Sequence, residues 1–405
     1  MTVRAAVQAV DITPALGCPV QGWDYPRQAR EMPLPLTGKV LLLDDGQRQA
    51  GLVTLDLFGL EAPWVARLRQ RLARATGISP ALWMIAASHT HSAPVTTSLA
   101  LPAGSTPDAM YLQWVGQALA GAAQRAQQAL EPVRLGWGAG QVRFPMNRRH
   151  VICGQVAWPP MANPEGPVDR EVGVVRLERE DGRPLALLMN CACHASILGN
   201  AHAVHPDYPG VAQAQVQAAL GGDAAAMFLL GCCGNVRTNF TEPSGRFDWR
   251  AGAAEAATAG EELAAEALRV WERIVAKPVE QLAVAEAHRT LSFRPGLPEP
   301  LPRVEAEFQG LRAGPLLALS VPAEVFAEIG LAVKAGLSQA PLLATCTNGF
   351  VGYVPTAEAI PLGGYEVHGW PQWWGYPGAF HPATGDLFRE AMLEVAAALG
   401  AAREG

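Results

Sequence analysis

An apolar run over residues 82–87 ends directly in two histidines, and this feature limits the folds open to the chain. An apolar run this short is typical of a buried strand. The motif Ser-His-Thr-His-Ser follows at once, so His89 and His91 stand two residues apart at the strand's end. If the chain stays extended there, both imidazoles face one pocket. Histidine is the commonest metal ligand and acts as acid or base at neutral pH, so the pair predicts a site; two hydrogen-bonded turn histidines are the alternative.

Strand and helix patterns alternate along the whole chain. Asp-Gly turns predict hairpins near residues 44–46 and 181–182, and helices are predicted over 63–75, 107–130, 208–220, 250–274, 324–337 and 386–399. No repeat of fixed period and no low-complexity linker divides the chain, and the proline-rich residues 295–302 are short enough for a loop. The sequence therefore predicts the α/β class, with one large domain over residues 1–405. Its mixed β-sheet core is flanked by helices, and its site lies at strand ends and adjoining loops.

Composition excludes several classes of protein. Among 31 basic residues only three are lysines, net charge is −6 and no basic block stands out, which argues against nucleic-acid binding. No run of about 18 apolar residues predicts a membrane span. The N-terminus lacks the apolar core of a signal peptide, and the seven cysteines are irregularly spaced. We therefore expect reduced thiols and a cytoplasmic location.

Other apolar runs also end in polar groups. His194 follows one of them, Glu324 comes shortly after residues 316–319, and Tyr353 closes a further apolar segment. Two histidines, a glutamate and an oxygen donor suit zinc. Taken singly, Glu324 could be a helix N-terminal charge and Tyr353 a core aromatic with a bonded hydroxyl.

The order of the motifs resembles that of the neutral/alkaline ceramidase family. The resemblance is to its N-terminal catalytic domain and extends from Asp11 to Glu366. The motifs are Ser-His-Thr-His-Ser at 88–92, Asn-Arg-Arg at 147–149, residues 190–194, Asp-Tyr-Pro-Gly at 207–210, Pro-Ala-Glu at 322–324 and Gly-Tyr at 352–353.

In that family a zinc ion activates water to cleave the amide bond of an N-acyl lipid. The resemblance implies one zinc ion per chain, bound by His89, His194, Glu324 and Tyr353. It further implies that the catalytic residues His91, Arg148 and Tyr365 line the reacting amide. Asp207 could orient a ligand histidine, or it could cap the helix that begins near Tyr208.

Physical chemistry is consistent with these roles. Zinc lowers the pKa of bound water to about 7 and polarises a carbonyl. Arg148 and Tyr365 could donate hydrogen bonds to the developing oxyanion, and His91 could protonate the leaving amine. For Arg148, a structural ion pair is the alternative.

The chain also departs from the family. Where ceramidases carry Gly-Asp-Val-Ser-Pro-Asn, residues 234–239 place Asn235 and Arg237 at the acid and the serine. Arg237 predicts contact with an anionic group of the substrate. The immunoglobulin-like C-terminal domain and the secretion signal of ceramidases are expected to be absent. The tryptophan-rich segment with Trp370, Trp373 and Trp374 could be a substrate-binding pocket wall, a plug over the core or a homo-oligomer contact.

The sequence thus predicts a zinc-dependent hydrolase that cleaves an amide of an N-acyl substrate smaller or more polar than ceramide. The partner is a small-molecule or lipid-like substrate. An ester or lactone hydrolase with the same metal site, and a non-catalytic metal-binding protein, remain open. Iron or manganese could also occupy a His/Glu/Tyr site. A serine hydrolase is disfavoured, because Ser92 and Ser196 lie outside any Gly-x-Ser-x-Gly motif.

Overall fold

The computed structural model describes residues 2–23, 25–98, 105–199 and 201–402. Along the chain its strands are β1 (Arg4–Asp11), β2 (Pro19–Val20), β3 (Arg27–Gln28), β4 (Thr37–Asp44), β5 (Gln49–Leu55), β6 (Trp83–Ala87), β7 (Glu131–Gln141), β8 (Pro145–Asn147), β9 (Val151–Ile152), β10 (Gln155–Val156), β11 (Glu171–Arg179), β12 (Pro184–Cys191), β13 (Ala225–Leu230), β14 (Val236–Thr238), β15 (Lys277–Pro278), β16 (Leu282–Leu291), β17 (Val304–Ala313), β18 (Leu316–Ser320), β19 (Glu324–Val325), β20 (Leu342–Ala344) and β21 (Tyr353–Val354).

The helices are α1 (Ala62–Thr76), α2 (Ala109–Gln128), α3 (Asp207–Leu220), α4 (Ala253–Trp271), α5 (Ala327–Ala335) and α6 (Thr384–Ala398). Short helical turns occupy Pro80–Leu82, Ala357–Ala359, Tyr365–Gly369 and Pro371–Trp374. The carboxylate of Asp108 caps α2 by accepting a hydrogen bond from the amide of Tyr111. Among the described residues, no helix combines the length and the apolar character needed to cross a membrane.

Nine strands form the largest sheet. Its order is β13-β12-β11-β7-β1-β4-β5-β6, with β15 paired beside β7. Strand β4 shows why the sheet is central: Leu41 and Leu43 point to one buried cluster, and Val40 and Leu42 point to another. Because side chains alternate along a strand, both faces of β4 are buried.

A second sheet packs against the first. Its order is β16-β17-β18-β20. One buried apolar cluster joins the two sheets and includes Leu43, Met84, Leu188, Leu311 and Leu316. Helices cover the opposite faces: α2 lies on β1 and β4, α4 on β7 and β11, and α6 on β16 and β17. This arrangement confirms the predicted α/β class with a mixed sheet flanked by helices.

Four pairs of strands run parallel and deliver the polar clusters to one region. They are β5 with β6, β12 with β13, β18 with β20, and β19 with β21. Backbone hydrogen bonds interlock the loops after them: the amide of His194 donates to Val236, that of Gly234 to Val325, and that of Thr345 to Leu230. Because parallel strands end at a common edge, residues distant in sequence meet there.

Two local predictions were wrong. The helix predicted from residue 324 begins at Ala327, because the amide of Glu324 donates to Gly352 and Glu324 itself lies on β19. The chain is also not extended through the histidine motif, since His89 has a φ of 62°. Its amide donates to the carbonyl of Leu57, which turns the backbone at the end of β6.

Candidate metal centre and adjoining cavity

Three imidazoles converge at the edge of the sheets. His89 and His91 follow β6, and His194 follows β12. One ring nitrogen from each lies within 4.8 Å of the others. His89 and His194 have no exposed surface, and His91 is 9% exposed. The turn at His89, rather than an extended chain, brings the two rings of the motif together.

Each of these rings is oriented by the backbone. The Nδ1 atoms contact carbonyl oxygens as follows: His89 with Phe58 at 2.7 Å, His91 with Gly22 at 2.8 Å, and His194 with Cys233 at 2.8 Å and Val236 at 3.0 Å. A carbonyl oxygen accepts only, so the proton of each neutral ring is assigned to Nδ1. The Nε2 lone pairs therefore face one another.

Glu324 and Tyr353 complete the cluster. They lie directly opposite each other in the parallel pair of β19 and β21. One carboxylate oxygen of Glu324, Oε2, lies 2.7 Å from Nε2 of His194 and 3.3 Å from Nε2 of His89. The ring of Tyr353 stacks on that of His194, with 6.4 Å between the centroids.

The donor set fits a metal cation. The Nε2 atoms of His89 and His91 are 3.3 Å apart, and neither carries a proton when Nδ1 is the donor. Burial, together with the cation of Arg148, lowers the pKa of His194 to about 4, so a proton is not expected between this ring and Glu324 at neutral pH. Facing lone pairs and a carboxylate repel one another unless a cation lies between them. Nitrogen and oxygen donors are the ligands that zinc accepts.

The two oxygen donors of the cluster, Glu324 and Tyr353, differ in the direction of their pKa shifts. Burial opposes ionisation of Glu324, but positive charge on the side of His89 and His194 would outweigh it and lower the pKa of Glu324 well below its usual value. With neutral rings, a bound cation would supply that charge. Burial and then the nearby Glu324 raise the pKa of Tyr353 well above its usual value. Tyr353 would therefore need a cation to become a phenolate ligand.

Two buried arginines share one carboxylate beside the cluster. Arg148 Nε lies 2.7 Å from one oxygen of Glu366, and Arg149 Nη1 lies 2.8 Å from the other. Arg148 Nη2 also donates to the carbonyl of Gly234 at 2.7 Å and to Tyr353 Oη at 3.1 Å. Burial opposes the charge of Arg148, but Tyr353 and Glu366 together raise its pKa. Arg148 therefore combines the predicted ion pair with contact to the cluster.

A cavity of about 870 Å³ opens beside the cluster. His91, Arg148 and Tyr353 lie on its wall, together with the predicted residues Tyr365 and Arg237. The remaining wall includes the aromatic side chains of Trp23, Tyr25, Trp158, Trp249 and Trp373. A mainly apolar enclosure with a few convergent polar groups is the usual form of a small-molecule site.

The three tryptophans of the C-terminal segment divide between two environments. Trp373 lines the cavity. Trp370 is 1% exposed and Trp374 is 5% exposed, and both pack in the main apolar core behind Tyr353. The positions of Trp370 and Trp374 fit the predicted alternative of a plug over the core, and substrate contact by Trp373 stays a prediction.

Asp207 binds backbone rather than a ligand histidine. Its carboxylate accepts hydrogen bonds from the amides of Ile197, Leu198 and Tyr208. Burial raises the pKa of Asp207 to about 6. It begins α3 and fastens the loop after His194, whereas the ring of His194 is oriented by carbonyls.

Sequence reasoning missed several members of the site. Trp23, Tyr25 and Trp249 come from loops with no recognisable motif. Glu366 had a signal, since a lone acid beside Tyr365 in an aromatic segment needs a cationic partner if it is buried. Gly22 had none: a Cβ there would lie 2.7 Å from the backbone of His91, a contact that only the tertiary structure creates.

The fold matches solved structures over nearly its whole length. A neutral ceramidase from Pseudomonas aeruginosa superposes with a TM-score of 0.79 at 18% identity, covering 98% of this chain and 74% of that chain. A structure described as ceramidase complexed with C2 gives 0.79 at 17% identity, covering 99% and 75%. No family model and no curated protein matches the sequence. The resemblance found in the motifs is therefore confirmed for the fold.

Proposed function

We propose that this chain is a zinc-dependent hydrolase that cleaves the amide bond of an N-acyl compound. One observation carries the proposal: three imidazole Nε2 atoms and the Glu324 carboxylate converge beside a cavity of about 870 Å³. Histidine and carboxylate ligands next to an accessible cavity are typical of catalytic zinc sites, whereas structural sites are closed.

In this proposal His89, His194, Glu324 and Tyr353 bind the ion. The short contacts of Glu324 with both imidazoles support the assignment, as does the position of Tyr353 across the strand pair. His91 and Tyr353 also line the cavity, so a substrate can approach the cluster from that side.

Hydrolysis adds the oxygen of water to the acyl carbon, breaks the C–N bond and delivers a proton to the amine nitrogen. A bound zinc ion supplies a Lewis acid and hydroxide at neutral pH. His91 is proposed to deliver the proton, because the Gly22 carbonyl engages its Nδ1 and leaves Nε2 for proton exchange. Burial and then the neighbouring imidazoles lower the pKa of His91 well below its usual value, so its protonated form is a strong acid.

Arg148 and Tyr365 are proposed to stabilise the charge that develops on the carbonyl oxygen. Arg148 is anchored through Glu366 and Gly234, so its guanidinium is oriented before substrate binds. Tyr365 lines the cavity, and its ring lies 5.6 Å from that of Tyr353.

The aromatic wall and the ceramidase neighbours support an N-acyl substrate whose chain lies in the cavity. We further propose that residues 1–405 form one hydrolase domain that acts in the cytoplasm. Its seven cysteines are all unpaired thiols, which suits a reducing compartment.

Elemental analysis of wild type beside His89→Ala and Glu324→Ala tests the metal site. We expect about one zinc per chain in wild type and its loss in both variants. His288→Ala is the matched control, because this side chain is 57% exposed and lies outside the cluster. A wild type that remains metal-free after zinc is added would overturn the proposal.

Activity of the zinc-loaded protein is then measured on N-acyl amides, with esters and lactones of equal chain length beside them. Amide cleavage that depends on Glu324 supports the proposal. Cleavage of esters or lactones but not of amides would show instead that the chain is an ester or lactone hydrolase. A zinc-loaded protein inert on all three would indicate a metal-binding protein without turnover.

A further inference from the structure

Arg237 is a buried cation on the wall of the cavity. It lies on β14, opposite Met146 of β8, and only 4% of its surface is exposed. The guanidinium carbon lies 4.7 Å from the ring centre of Phe247 and 4.8 Å from that of Trp249. Two aromatic rings therefore position this cation by cation–π contact.

Within the part of the chain that the structure describes, no carboxylate forms an ion pair with Arg237: Asp207 raises its pKa from a longer distance, but its oxygens accept hydrogen bonds from backbone amides. The one hydrogen bond of Arg237 runs from Nη2 to the carbonyl of Ser196 at 3.3 Å, and its buried Nε has no partner. A guanidinium carries five N–H donors, so most of the donors of Arg237 have no acceptor in the protein. Burying a charge without an ion-pair partner costs free energy of folding. A buried arginine of this kind is therefore a candidate for a functional role.

Other buried arginines are treated differently. Arg148 and Arg149 both pair with Glu366. Arg27 also lacks a carboxylate and has a buried Nε without a partner, but both of its terminal nitrogens donate to carbonyls, those of Gln21, His91 and Ala201. Burial and then the charge of Arg148 lower the pKa of Arg237 to about 10, which leaves it charged at neutral pH. Glu366 is thus engaged by Arg148 and Arg149, and Arg237 is the cation on this side of the cavity that keeps donors free for a ligand.

Arg237 also lies close to the metal cluster. The preceding residue, Val236, provides the carbonyl that binds Nδ1 of His194. On the other side Trp249 packs on Trp23 at 5.1 Å, and Trp23 packs on His91 at 5.3 Å. Arg237 and His91 line the same cavity, so one substrate can contact both Arg237 and the cluster.

We infer that Arg237 forms a subsite for an anionic group of the substrate, which makes the substrate an N-acyl amino acid or a similar N-acyl compound with a carboxylate near the scissile amide. This inference rests on the proposed function. A guanidinium fork matches the geometry of a carboxylate and can bind both of its oxygens. The N–H groups of Arg237 that lack partners are the groups that would bind it.

The test compares N-dodecanoylglycine with N-dodecanoylglycinamide, which differ only by carboxylate against carboxamide. We expect wild type to prefer the carboxylate by about 10- to 100-fold in kcat/KM, the size of a charge-assisted hydrogen bond. In Arg237→Gln the preference should fall to about one, while Arg237→Lys should retain part of it. Arg183→Gln is the matched control, because that side chain is 67% exposed and pairs only with Asp181.

Binding is measured separately by calorimetry with 4-oxopentadecanoate and its carboxamide. In these compounds a methylene replaces the amide nitrogen, so they cannot be hydrolysed. We expect wild type to bind the carboxylate more tightly, and Arg237→Gln to lose this difference. Circular dichroism and zinc content confirm that each variant is folded, and Arg237→Lys serves if Arg237→Gln is not.

The outcomes separate the inference from the proposed function. Amide cleavage without preference for the carboxylate would overturn the anionic subsite and leave the hydrolase standing. A preference that survives in Arg237→Gln would overturn it too. Tight carboxylate binding that depends on Arg237, with no cleavage of either amide, would support the subsite and remove the hydrolase.

Discussion

The metal centre and the aromatic wall of the cavity position their cations by opposite means. At the centre, Arg148 is fastened by Glu366, by the Gly234 carbonyl and by Tyr353. On the wall, Arg237 lies against two aromatic rings and has one hydrogen bond. The first cation is neutralised where it lies, and the second is not.

This difference separates groups that serve the reaction from groups that select the substrate. A cation anchored by a carboxylate is held in one orientation, so Arg148 can aim its remaining donors at a charge that develops in the reaction. A cation without an ion-pair partner keeps its donors for a ligand, at a cost in stability. We therefore expect substitutions in the two regions to affect stability and activity in different proportions.

The largest effect is expected at the metal centre. His194→Ala removes a ring that contacts Glu324 at 2.7 Å, so zinc should be lost and kcat/KM should fall by about 1,000-fold or more. Elemental analysis and amide hydrolysis measure both. His202→Ala is the control, because this half-buried histidine lies outside the cluster and its ring contacts the Gln28 carbonyl. Full activity in a zinc-free His194→Ala protein would show that hydrolysis does not depend on the metal, and the proposed role of the metal centre would be wrong.

Loss of the shared counter-charge should come next. Glu366→Gln leaves Arg148 and Arg149 buried with no carboxylate, which should lower the free energy of unfolding by about 3–5 kcal/mol. Urea denaturation measures it. Glu305→Gln, at an exposed pair with Arg303, should leave the free energy of unfolding nearly unchanged, because solvent screens that pair. Equal losses of stability at Glu366 and Glu305 would show that burial does not strengthen the ion pairs of Glu366.

A buried histidine outside the proposed ligands should make stability depend on pH. Burial lowers the pKa of His205 to about 4, and its Nδ1 accepts a hydrogen bond from the amide of Asp207. The unfolded chain binds more protons between pH 4 and about 6.5, so stability is full above that range and is lost as pH falls through it.

His205→Asn should remove about 2–3 kcal/mol of this pH dependence while preserving an acceptor for the Asp207 amide. Denaturation of both proteins at several pH values isolates the contribution, because acid release of the metal is common to the two. Parallel pH profiles would assign the acid sensitivity to other groups.

The smallest effect on stability is expected at Arg237. Arg237→Met removes an uncompensated buried charge but keeps an apolar chain against Phe247 and Trp249, so the free energy of unfolding should change by about 1 kcal/mol or less. Urea denaturation of Arg237→Met and Glu366→Gln under the same conditions compares the two losses of unfolding free energy. A loss as large as that of Glu366→Gln would make Arg237 a structural cation and erase the difference between the regions.

Local patterns in the sequence were sufficient for most of the fold. Apolar runs on either side of Asp-Gly turns predicted the strands β4, β5 and β12, and period-3.6 patterns or helix-forming composition predicted α1 and α4, all to within a few residues. They failed at Glu324, where a two-residue strand depends on pairing with Tyr353 rather than on its own residues. Short elements of this kind have too little local signal, because their stability comes from the partner strand.

The sequence by itself determined which chemical groups this chain has available: two histidines after one strand, a third after another, and an arginine where related motifs have serine. Only the tertiary structure decided their state. It placed a carbonyl at Nδ1 of each of the three cluster histidines, turned Trp370 and Trp374 into the core, and left Arg237 without an ion-pair partner among the described residues. Residue type fixes what a group can donate or accept, but protonation and partnership depend on neighbours that only folding brings together.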